Sequence, residues 1–192
     1  MIGEVVLPRR VKPQPTPEIV TGGDCGACVL GGILDMEPEE VYTRLVQDKK
    51  TIGPGEMQRI LRVCGYGNLV DRYIEKYATW PTQWWGCDSF GRPAYMEALP
   101  WFNYVRMAID AGYYGIALID SDKNGGRNGG TNHWIMICGA RNQGHEAYDG
   151  VITGEVLISC SRRSTQMKEE WAEARDFLMH RGGYDIMFAR PK

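Results

Sequence analysis

The chain has no surplus of either charge. Its 22 basic residues against 24 acidic ones leave a formal net charge of −2, so it offers no basic field for a nucleic-acid partner. It also has no run approaching the ~18 apolar residues of a membrane span. The opening Met1–Pro8 carries Glu4 and no long apolar stretch, so it does not read as a secretory signal. A reducing cytoplasm is therefore the expected compartment, with the six cysteines as thiols and no membrane partner. A second closely spaced ligand pair is missing as well. Cys64, Cys87, Cys138 and Cys160 each stand alone, which argues against structural zinc. Internal repeats and low-complexity tracts are absent. What remains is a composition 43% hydrophobic and 24% charged, that of a globular chain able to bury a core without disulfides. One domain spanning residues 1–192 is expected.

Within it, residues 1–20 read as an extended lead-in, because Pro8, Pro13, Pro15 and Pro17 each fix φ and remove a donor. Residues 21–112 read as a mainly helical half. Asp24 is placed to cap a helix in which Cys28, Val29, Gly32, Ile33 and Met36 recur at helical spacing. Pro38 opens a second helix with Val41, Leu45 and Val46 inward. Glu56 to Val63 reads as a third, with Met57, Ile60 and Leu61 inward, and Phe102 to Ile109 as a fourth, ending at Gly112. Between them, Trp80, Trp84, Trp85 and Trp101 lie among Gly and Pro, in a stretch expected to be irregular. Residues 113–192 read as a mainly sheet half. Its strands are expected at Tyr113–Ile119, His133–Cys138, Glu146–Tyr148, Val156–Ser159 and Tyr184–Ala189, with a charged amphipathic helix at Thr165–His180. Helices first and strands later predict an α+β class rather than alternating βαβ units.

Chemistry concentrates at two points. Cys25 stands at the start of the first helix, where free backbone N–H groups and the helix dipole favour thiolate. Gly26 beside it would leave room for a substrate backbone. About 100 residues later, after a glycine-rich loop, His133 opens an apolar strand and would serve as the base. Asp149, after the next strand, would orient the imidazole if the two strands pair. Cys28 is the alternative nucleophile. Cys64, Cys138 and Cys160 sit in apolar surroundings and read as structural thiols. A thioredoxin-like use of Cys25-x-x-Cys28 would need a preceding strand that the proline-rich lead-in does not offer.

The segment Asp24-Cys25-Gly26-Ala27-Cys28-Val29-Leu30, the helix containing Glu39-Glu40-Val41-Tyr42, and Thr131-Asn132-His133-Trp134-Ile135 together resemble the papain-like cysteine peptidase superfamily. They look most like the double-glycine leader peptidases of bacteriocin exporters and small phage-type papain-like proteins. The resemblance covers residues 21–46 and 113–150. It implies a papain-like fold, a Cys-His-Asp arrangement of Cys25, His133 and Asp149, and a peptide or protein substrate, with no metal or organic cofactor. Those families carry a glutamine six residues before the nucleophile. Here that position holds Ile19, with Gln14 further upstream, and Val29 stands where the papain signature has an aromatic after its cysteine.

Overall fold

Strands that are apolar on both faces need cover on both sides, and that requirement organises the molecule. The computed structural model describes residues 3–15, 19, 23–46, 51–66, 95–120, 132–146, 152–161, 168–174, 177 and 186–191. In chain order these give β1 (Val5–Val6), α1 (Cys25–Leu34), α2 (Pro38–Arg44), α3 (Pro54–Val63) and α4 (Tyr95–Asp110). There follow β2 (Tyr114–Asp120), β3 (Asn132–Glu146), β4 (Ile152–Cys160), β5 (Lys168–Glu173) and β6 (Ile186–Ala189). The class is α+β with an antiparallel sheet ordered β5-β4-β3-β2-β6, and β1 pairs with β3. Among the described residues no helix is long and apolar enough to cross a membrane.

The pleat sorts side chains by parity. Tyr114, Ile116, Trp134, Met136 and Cys138 turn to one face, where they meet Ala27, Leu30 and Ile33 of α1, Val41 of α2 and Met57, Ile60 and Leu61 of α3. Ala117, Ile119, Ile135, Ile137 and Ile158 turn to the other, under Trp101, Val105 and Ile109 of α4 and beside Phe177. A bulge between Ile137 and Gly139 interrupts the β3–β4 ladder. Pro38 and Pro54 stand in the first turns of α2 and α3, with Glu39, Glu40 and Glu56 beside them at the positive helix ends.

Residues 3–15 of the lead-in form no helix, as Pro8, Pro13 and Pro15 require, and they are stitched into the fold. Leu7 N donates to Cys138 O at 2.8 Å, Val11 N to Ser159 Oγ at 3.1 Å and Lys12 N to Cys28 O at 3.0 Å. Val11 is fully buried. This path explains Gly32, which costs a helix up to ~1 kcal/mol on propensity. A Cβ there would run into the carbonyl of Arg10 and crowd Val11 Cα at 3.1 Å, so the glycine lets the lead-in and the helix touch.

Three expectations are corrected. The helix expected at Thr165–His180 is broken by β5, whose Glu155↔Glu173 to Cys160↔Lys168 pairing with β4 overrides a helix-favouring composition. The strand expected at Glu146–Tyr148 is not separate at its described end, since Glu146 closes the 15-residue β3. Trp101, expected in an irregular stretch, lies within α4 and is buried. Trp80, Trp84, Trp85 and Cys87 lie outside the described residues.

Candidate functional site

Asp24 and Cys25 begin α1. Cys28 N donates to Asp24 O at 2.9 Å, the first bond of the helix. Asp24 therefore occupies the cap position, but its carboxylate makes no capping bond to the helix. It is completely buried, and Oδ2 accepts from Ile19 N at 2.9 Å. The charge is felt across the cluster, because it helps hold Cys25, Cys28 and Tyr42 in their protonated forms. Tyr42, on α2, is pushed up first by burial and then by Asp24.

The Cys25 thiol is half-buried. Burial raises its pKa most, and Asp24 adds to that. Against them work the backbone N–H groups of Trp134, Gly26 and Cys25 itself, all turned toward the sulfur. Trp134 N donates to Cys25 Sγ at 3.5 Å. That nitrogen is bonded to the His133 carbonyl carbon over ~1.3 Å, which places the sulfur within about 5 Å of the His133 backbone. Trp134 is the third residue of β3, so the sulfur lies beside the start of that strand.

The ring of His133 has a different contact. His133 is half-buried, pairs with Ile119 across β2 and shares the α4-facing side of β3 with Ile135. Its Nε2 lies 3.0 Å from Cys160 Sγ. Cys25 packs instead against the α1-facing core. The structure thus brings the Cys25 sulfur beside the His133 backbone, and the His133 ring onto Cys160. Asp149 lies outside the described residues.

Cys28 is fully buried, its thiol donating to Pro13 O at 3.5 Å and pushed up to about 12 by burial. That environment suits a core thiol more than a nucleophile. Cys138 is likewise buried, held to about 11, and directed at Leu157 O. Gly26 does not open toward a substrate: a Cβ there would lie 2.9 Å from Ile52 Cβ and 3.2 Å from Trp134 Cδ1. Among the described residues no three His, Cys, Asp or Glu side chains could together hold a metal ion.

Two residues that matter here were not singled out for a role at this site by the sequence. Trp134 anchors the site from three directions: its N–H reaches Cys25, its ring covers Gly26, and its indole Nε1 donates to Ile52 O at 2.7 Å. An apolar residue after a strand-opening histidine was the available signal. Cys160 carried none, since its place beside His133 depends on strand register. Gln14, the nearest upstream glutamine, has a buried Oε1 with no hydrogen-bond partner among the described residues. No family model, curated protein or solved structure matches this chain.

Proposed function

We propose that the protein is a papain-like cysteine peptidase or amidohydrolase, with Cys25 as nucleophile and His133 as its base. One observation carries the reading: the Cys25 sulfur, at the tip of α1, accepts the N–H of the residue that follows His133. A thiol raised by burial and by a buried carboxylate is inert alone, so this one needs a base at its side. The imidazole takes the thiol proton, and the thiolate attacks a peptide or related amide or thioester carbonyl. The imidazolium returns the proton to the leaving group, and water or an amine resolves the acyl-enzyme. The N–H groups at the start of α1 would steady the developing oxyanion, an effect on the order of 3 kcal/mol per donor in known sites.

A second reading, a silent peptide- or protein-binding relative, draws on Ile19 at the position of the family's glutamine. Iodoacetamide at pH 6 separates the two, because a thiol of pKa ~8.5 is under ~1% ionised there. Mass spectrometry is expected to find Cys25 alkylated at least about tenfold faster than Cys64, whose thiol is also raised by burial. His133→Ala is expected to remove the difference. Equal rates at Cys25 and Cys64 would leave only the binding reading.

A further inference from the structure

We infer that Cys160 is the positioning residue of His133, the group that sets the tilt and tautomer of the imidazole. The inference rests on the Cys25–His133 reading above and adds to it a residue that the sequence had given a purely structural place.

The argument begins with register. The last β3–β4 pair is Met136↔Ser159. Continuing the ladder by one step sets Cys160 opposite Ile135 and diagonally across from His133, on the same face. Diagonal neighbours on one face are within reach when one side chain is long, and the ring of His133 closes the gap to 3.0 Å. The anchor is firm. Cys160 is a ladder residue on both counts, ending β4 and pairing with Lys168 of β5, and it is buried beside Ile158 and Phe177 in the core under α4.

The chemistry follows from which nitrogen is engaged. A neutral imidazole carries one N–H. With Nε2–H donated to the Cys160 sulfur, the lone pair falls on Nδ1, the ring nitrogen nearer the backbone. The Cys25 sulfur accepts the N–H of the next residue, Trp134, and so lies within about 5 Å of the His133 backbone. In the transfer, the S–H bond of Cys25 breaks and its proton forms an N–H bond at Nδ1. The products are a thiolate and an imidazolium, and Nε2–H stays on Cys160 throughout. No electron is exchanged and no co-reactant is needed.

The test uses the full chain and iodoacetamide, following alkylation of each cysteine by mass spectrometry from pH 5 to 9. Cys160→Ala and Cys160→Val, the latter nearer in volume, are each expected to lower the Cys25 rate at pH 6 about tenfold and to move the lower edge of its pH profile. Cys160→Ser, which keeps an acceptor for Nε2–H, is expected to restore both. Independently of any variant, nitrogen-15 imidazole spectra of the wild-type protein are expected to show His133 as the Nε2–H tautomer. Superimposable profiles in wild type and Cys160→Val, an Nδ1–H tautomer, or alkylation of Cys160 ahead of Cys25 would each overturn the positioning role. Failure of the parent reading looks different: wild-type Cys25 would be no faster than Cys64, while the tautomer would still report on the Cys160 contact.

Discussion

The two faces of the sheet solve different problems with the same strand. Under α1–α3 the core is rich in groups that can ionise. Asp24, Cys28, Cys138 and Tyr42 are all buried there, and burial or mutual charge keeps the thiols and the phenol protonated. Under α4 the core is aliphatic and aromatic. Trp101 and Phe177 stack at 5.6 Å, and the contact between His133 and Cys160 stands at the end of the strand. β3 serves both: its even positions seat the helix that carries Cys25, and its odd positions carry the imidazole. The lesson is that a period of two lets one strand end make contacts in two different cores.

The comparison can be broken most severely at Trp134, which ties Cys25, Gly26 and Ile52 together on the α1 side. Trp134→Ala is expected to cost about 3–5 kcal/mol, read by urea denaturation, because it empties a large fully packed site. An effect under about 1 kcal/mol would mean that α1 is not seated through this residue. The α4 side has its own tie in Arg106, nearly buried, which donates to Asp110 at 3.0 Å and to Gly3 O at 2.7 Å. Arg106→Ala is expected to cost about 2 kcal/mol, since carbonyl and carboxylate acceptors lose a charged donor. It should leave Cys25 alkylation unchanged, which Trp134→Ala should not.

The difference in ionisable content makes a pH prediction with a definite sign. The folded state holds Cys28 to about 12 and Cys138 to about 11, both from an ordinary 9.0. Raised pKa values mean that the unfolded chain loses these protons first. The stabilisation is complete below pH 9 and is lost as pH climbs toward 11 and 12. Each thiol is expected to remove about 1 kcal/mol by pH 10. Denaturation curves at pH 7 and pH 10 check this, and a Cys28→Ala, Cys138→Ala double variant should flatten the dependence. If the loss persists in full, the α1 face is not its source. At the small end, the exposed Arg44–Glu40 pair on α2 belongs to neither core. Arg44→Ala should leave stability within experimental error.

Legibility from sequence followed the range of the interactions involved. The start of α1 at Cys25, the inward Met57, Ile60 and Leu61 of α3, and strand β2 were all readable, because local periodicity and capping decide them. Lys168–Glu173 was misread because its strand character comes from pairing with β4, and a charged edge segment has no period to announce that. At the site, Cys25 and His133 stood out by residue type and local context. Cys160 did not, because only the Met136↔Ser159 register brings it under His133. The buried setting of Asp24, with its carboxylate turned to Ile19 rather than to the helix, was equally beyond local reading.

The bonds from residues 7–12 to Cys138, Ser159 and Cys28 also set a timetable for biosynthesis. The segment leaves the ribosome ahead of the sheet, yet two of its anchors are made more than a hundred residues later, and such distant contacts form slowly. The partners of Leu7 and Val11 do not exist until β3 and β4 have been translated. The Cys25 sulfur is therefore made about a hundred residues before the strand whose Trp134 N–H it accepts.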